Sequence, residues 1–158
     1  AWSPRLAVLY DYASGDDRDD ERYGRFDPLF GTARGDFGPT GIYGPFARAN
    51  LRSAGVRMEL APVDALAVQL THRGYWLATE QDAWVSAGRA DAEAGTDDLG
   101  LPCADLCQQA ELRVRWESLP GNLRLEGGGA WFWWGDVPAR TGGPDRSILG
   151  YLETTWTF

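Results

Sequence analysis

Between residues 110 and 117 every second side chain changes character. Ala110, Leu112, Val114 and Trp116 alternate with Glu111, Arg113, Arg115 and Glu117. A period of two belongs to a strand with one apolar and one polar face, because a helix would smear the two sets around its circumference. Such a strand demands neighbours of the same pattern, so that the apolar side chains form one continuous surface.

The neighbours are present. Residues 5–12 place Leu6, Val8, Tyr10 and Tyr12 on one face against Asp11. Residues 49–61 place Val56, Met58 and Leu60 opposite Arg57 and Glu59, with a phase slip at 53–55 that predicts a bulge. A tight turn is expected at Pro62, Val63 and Asp64, and a strand over 65–77 follows, with Leu66, Val68 and Leu70 opposing Gln69, Thr71 and Arg73. The fourth strand covers 108–118. Leu119, Pro120, Gly121 and Asn122 read as a turn into a strand over 123–134, where Leu125, Trp131 and Trp133 oppose Arg124, Glu126 and Phe132. The last strand, 148–158, sets Leu152, Thr154, Trp156 and Phe158 against Tyr151, Glu153, Thr155 and Thr157. Residues 13–46, 78–106 and 135–146 have no period and read as loops.

Register follows from the short turns. Ser118 facing Leu123 brings Glu117 to Arg124, Arg115 to Glu126, Trp116 to Leu125 and Arg113 to Gly128. Opposite charges across a ladder are favourable. The other hairpin pairs Leu60 with Leu66, Met58 with Val68 and Val56 with Leu70, which keeps one face apolar.

The connections alternate long, short, long, short, long. Outer-membrane β-barrels do this, with short periplasmic turns and long outer loops. The closing strand ending in Phe158 is similar to theirs. The aromatics then form two girdles: Tyr75, Trp76, Trp131, Trp133 and Trp134 near the outer rim, and Trp2, Trp116, Trp156 and Phe158 near the inner. Thirteen per cent aromatic residues, with eight Trp among 158 residues, suit that membrane interface. A soluble β-sandwich with one wet face would alternate too; the Trp belts and the loop asymmetry favour the bilayer. A net charge of −8 argues against nucleic acid as partner. No apolar run is long enough for a transmembrane helix, which leaves a barrel open.

A more specific resemblance lies in the long stretches. YDYASGDDRDDERYGRFDPLFG after the first strand, then NLRS, ELRVRWESLPGNLRLEGGGAWFW and YLETTWTF, resemble the alginate-export family of outer-membrane barrels over nearly the whole chain. The resemblance implies an 18-stranded barrel that passes an anionic polysaccharide across the bacterial outer membrane, and this chain resembles its C-terminal portion. Residues 97–109 depart from the family pattern. Six strands in one domain, 1–158, are too few for a membrane barrel. The expected architecture is therefore an all-β, antiparallel transmembrane β-barrel of about six strands per chain, closed only with other copies as a homo-oligomer or with strands of a larger barrel.

The chemistry of such a pore is electrostatic. Arg57, Arg73, Arg113, Arg115 and Arg124 share the polar face and are the candidates along a path for an anionic polysaccharide or small anions. Glu59, Glu111, Glu117, Glu126 and Glu153 share it too, so a ladder of ion pairs is the competing reading. Arg113, expected opposite Gly128 and not a carboxylate, is the first choice for a free arginine. Cys103 and Cys107 could form a local disulfide or remain thiols. Asp16, Asp17, Asp19, Asp20 and Glu21 read as a solvated loop ahead of a Ca²⁺ site, lacking EF-hand spacing. His72 is the single His, and no G-x-S-x-G elbow exists, so no catalytic residue, metal or cofactor is expected. The alternative to a porin-like channel is a structural subunit of an outer-membrane assembly, in which the 13–46 loop would fill the lumen.

Overall fold

The computed structural model describes residues 2–17, 21–27, 46–86, 89–93, 104–140 and 144–158. Six long strands carry the fold: β1 (Arg5–Ala13), β2 (Leu51–Val63), β3 (Leu66–Trp76), β6 (Asp105–Leu119), β7 (Leu123–Trp134) and β8 (Arg146–Trp156). Between β3 and β6 lie β4 (Ala83–Ser86) and β5 (Arg89–Glu93), and between β7 and β8 a short helix, α1 (Asp136–Arg140). The six long strands form one antiparallel sheet in the order β1-β2-β3-β6-β7-β8, while β4 and β5 pair only with each other. Each long strand pairs with the next long strand along the chain, so the sheet is a meander with every short turn at one end and every long connection at the other. These are the turn end and the loop end. The sheet is open, with β1 and β8 at its edges. Strands of 9 to 15 residues reach about 30 Å or more, enough to cross a hydrocarbon layer.

The two faces differ inversely to a soluble sheet. Leu6, Val8, Ile148 and Leu152 are 76 to 82% exposed, and Trp116, Trp131, Trp133 and Trp156 also stand on this outward face. The charged set is turned the other way, where Glu111 and Glu126 are only 4 and 7% exposed. Water would expel such an apolar surface, whereas lipid accepts it.

The β6–β7 register agrees with expectation at Arg113↔Gly128, Arg115↔Glu126, Trp116↔Leu125 and Glu117↔Arg124; a break then brings Leu119, not Ser118, opposite Leu123. The turn there closes through Asn122 N–H donating to the Leu119 carbonyl at 2.9 Å, and Gly121 supplies a φ of 80° that other residues resist. The β2–β3 hairpin corrects the sequence reading. Pro62 and Val63 belong to β2, the turn is Asp64–Ala65, and the pairs are Leu60↔Val68, Met58↔Leu70 and Val56↔His72. The slip is two residues, so every side chain keeps its face. The expected bulge at 53–55 is absent, since Arg52 to Leu60 pair without a break; the irregularity lies between Leu60 and Val63.

Parity also reassigns the loop-end aromatics. Trp76 is on the outward face, folded over Gly74. Tyr75 is its neighbour in sequence and must point the other way, where it is 0% exposed. Tyr75 is therefore no girdle residue, and neither is Trp134, which stacks on Phe132 with rings 5.5 Å apart. Tyr75 belongs to, and Trp134 packs against, a core at the loop end of the polar face, formed by Leu51, Tyr75, Leu106, Cys107, Ala130 and Phe132 from the long strands, Trp84 from β4, and Phe46, Leu77 and Val137 from outside the strands. The segments read as plain loops at 78–106 and 135–146 thus contain β4, β5 and α1.

Candidate functional site: the charged face of the sheet

The face opposite the apolar one divides into three levels. At the loop end the apolar core covers it, with Phe46 stacked on Tyr75 at 4.0 Å. Below that lies a buried polar layer. The Tyr75 hydroxyl donates to Gln109 Oε1 at 2.8 Å, and Gln109 Nε2 donates to Glu111 Oε2 at 3.1 Å. Arg73, 5% exposed, is ion-paired with Asp11 and donates to Ser53 Oγ at 2.9 Å. Towards the turn end the face opens. There Glu126 receives Arg113 Nε at 2.5 Å, Arg115 Nε at 3.0 Å and the Tyr151 hydroxyl at 3.2 Å. Beside this triad a cleft of about 150 Å³ is lined by Glu59, Ala67, Val68, Gln69, Arg113 and Arg115.

The five arginines foreseen on this face all lie on it, with different partners. Arg73 is sealed by Asp11 and Ser53. Arg113 is not the free arginine it was expected to be. Its register partner is Gly128, but its side chain reaches diagonally to Glu126, a distance that long side chains span. Arg115 shares the same carboxylate and keeps 40% of its side chain exposed. Arg124 stands opposite Glu117 in register without an ion pair among the described residues. Arg57, between Ala7 and Thr71, has a buried Nε with no hydrogen-bond partner. Arg73, Arg113 and Arg115 are held in ion pairs, and Arg57 and Arg124 make none among the described residues.

Sequence reasoning missed a clasp at the loop end. The segments 14–17 and 21–26 are tied together, with Phe26 N–H donating to the Ser14 carbonyl at 3.0 Å and Gly24 N–H to Asp16 Oδ1 at 2.8 Å. They are fixed to the β3–β4 connection by Asp82, which is 5% exposed. Its carboxylate receives the Arg25 guanidinium and Asp16 N–H. Asn50, in the left-handed region at φ 48°, braces the same connection: its Oδ1 accepts from Thr79 N–H and its Nδ2 donates to the Thr79, Asp82 and Ala83 carbonyls. The marks of the clasp, a positive φ at Asn50 and a fully used amide, belong to the folded backbone and leave no signal in the sequence.

Burial alone would raise the Asp82 carboxyl, but hydrogen bonds from Arg25, Asp16 and Ala83 outweigh it and hold the group below the usual carboxylate range. A depressed folded pKa stabilises at neutral pH, and that contribution is lost as pH falls below the ordinary Asp value. At pH 3, amide exchange at Asp16, Gly24 and Phe26 is expected to run about ten-fold faster than at pH 7 after correction for intrinsic rates. Arg25→Gln should show the faster exchange already at pH 7. Equal protection in both would mean that the clasp does not hold the loop.

Cys107 is a buried free thiol. Cys103 lies outside the described residues, and the expected disulfide with it. Asp19 and Asp20 also lie outside them, as does most of the 13–46 loop whose filling of the lumen was the mark of a structural subunit; Phe46 is the described residue of it that packs against the face. His72 stands exposed on the outward face between Val56 and Ala110. Among the described residues no helix is long and apolar enough to cross a membrane, and no three His, Cys, Asp or Glu side chains are grouped to hold a metal.

The family model described as alginate export matches residues 1–151. No curated protein matches.

Proposed function

This chain belongs to the alginate-export family, and from that premise we propose that its six strands form one arc of a bacterial outer-membrane pore whose charged face lines the path of an anionic polysaccharide or smaller anions. The observation that carries the reading is the inversion of the sheet: apolar side chains exposed, ion pairs turned inward. An open sheet edge in lipid would leave a row of peptide groups unpaired, each costing several kcal/mol. β1 and β8 therefore pair with further strands, from other copies or from elsewhere in the same protein. The loop end faces outward and the turn end faces the periplasm, as loop lengths in such barrels dictate.

In this pore Arg57 and Arg124 supply the uncommitted positive charge, and Arg113 and Arg115, which share the single carboxylate of Glu126, leave one more. Guanidinium groups suit carboxylates because their fork binds both oxygens. Passage is passive diffusion, which the family's export role permits, and nothing in the site requires bond-making chemistry. The test is ion selectivity in planar bilayers. Arg57→Gln with Arg124→Gln should lower the anion-to-cation permeability ratio at least about two-fold at low salt, and less at high salt. A ratio that does not move would remove these arginines from the path.

A second reading is favoured by the apolar core over the loop end, which narrows the face there. If the arc is a structural closure only, the reconstituted assembly shows no conductance with or without the substitutions.

A further inference from the structure

The outward face carries formal charge in only two places among the described residues of its strands, apart from Asp105, and both are arginines. Arg52 lies between Tyr12 and Trp76 in the pairing, and Arg146 lies beside Trp133. Both are exposed and neither makes an ion pair among the described residues. They stand at the loop end, four strand spacings apart, about 19 Å, and one alternate step apart along the register, about 7 Å. Everything nearer the turn end on this face is uncharged: Leu6, Val8, Val56, Met58, Leu70, Trp116 and Leu152 among others. Asp105, beyond the irregularity at the start of β6, is level with Trp76, but its carboxylate lies against Gly135 and forms no ion pair with either arginine.

An unpaired arginine pointing into hydrocarbon is costly, and it is tolerated where the chain meets headgroups. Aromatic rings on either side mark the same depth. Two unpaired cations at the loop end of the apolar face, each beside an aromatic residue and without a carboxylate partner, call for anions supplied from outside the protein. The anion is held in a layer that also contains acyl chains, because the apolar face begins directly below. We infer that Arg52 and Arg146 are docking points for the phosphate groups of phosphorylated lipids in the leaflet at the loop end. Each guanidinium takes one phosphate through its fork, and the neighbouring Trp or Tyr lies against the upper acyl chain. The inference rests on the membrane reading above and adds a partner to it.

The test uses the complete closed assembly that contains this chain, reconstituted in phosphatidylcholine nanodiscs with phosphatidic acid as the phosphorylated probe. Native mass spectrometry after ejection reads the probe molecules retained. Each of Arg52→Gln and Arg146→Gln should reduce retained phosphatidic acid to about half, the double variant should reduce it at least about five-fold, and Arg52→Lys should keep much of it. Arg5→Gln, at the turn end of the other face, should leave retention unchanged. If the double variant inserts and retains as much phosphatidic acid as the parent protein, the docking inference is overturned while the membrane reading stands. If the unsubstituted protein does not enter lipid at all, both fall together. Retention that free inorganic phosphate competes away at millimolar concentration would mean a phosphate site without a lipid, and would also overturn it.

Discussion

Gly128→Ala is expected to unfold the sheet, with a loss of at least about 3 kcal/mol, while Gly127→Ala one residue away stays within about 0.5 kcal/mol of the parent. A Cβ at Gly128 would meet the Leu112 carbonyl oxygen at 2.5 Å and the Tyr151 ring at 2.7 Å. The ring can swing away. The carbonyl cannot, because Leu112 belongs to β6 and is paired in register with Gly129. Relief requires β6 and β7 to part locally, and those strands hold the middle of the sheet. At Gly127 the nearest atoms are at 3.5 and 3.6 Å, ordinary contact. Tyr151 covers the bare backbone at Gly128 from β8 and delivers its hydroxyl to Glu126, so the glycine, the tyrosine and the ion triad are one unit. Denaturant midpoints in detergent decide the matter. Two similar midpoints would mean that the strands give more easily than their pairing suggests.

Glu126→Gln is expected to move stability and selectivity in opposite senses. Glu126 is almost fully buried and satisfies Arg113 and Arg115 at once. Removing one member of a buried pair costs about 3 to 5 kcal/mol. Here the arginine side chains are 31 and 40% exposed and water takes over part of the loss, so about 2 kcal/mol is the expectation. Glu153 stands directly opposite Glu126 on β8, and relief of that like-charge contact offsets a little more. The substitution also unmasks two guanidinium groups in the open part of the charged face. The permeability ratio should therefore shift toward anions as the denaturation midpoint falls. A lowered midpoint with unchanged selectivity would separate the triad from the conducting path.

The residues explain which features a reader of the sequence could reach. Alternation over 110–117 and the LPGN turn determine β6 and β7, and their pairing follows because a wrong parity would put Arg115 on the apolar side. Slips of two residues carry no such penalty, and the β2–β3 hairpin was misplaced by that amount. Arg113 shows a different limit. Its backbone partner was read correctly, yet its ion pair runs diagonally, and register alone does not say where a long side chain ends. Tyr75 was misassigned because aromatic content was weighed ahead of parity at the end of β3. The clasp of Arg25, Asn50 and Asp82 was out of reach for a plainer reason. Arg25 and Asp82 are 57 residues apart, and a contact closed through loops leaves no period behind it.

The count of long strands has a consequence for how such proteins change over time. β1 starts at the turn end and β8 finishes there, because six antiparallel strands make an even number of crossings. A block of this kind can be duplicated, lost or exchanged without inverting what comes before or after it. Circumference then becomes an adjustable property, set by whole hairpins, while sidedness is inherited unchanged. Long loops stay with long loops, and Arg52, Trp76, Trp133 and Arg146 stay together at the loop end of the block.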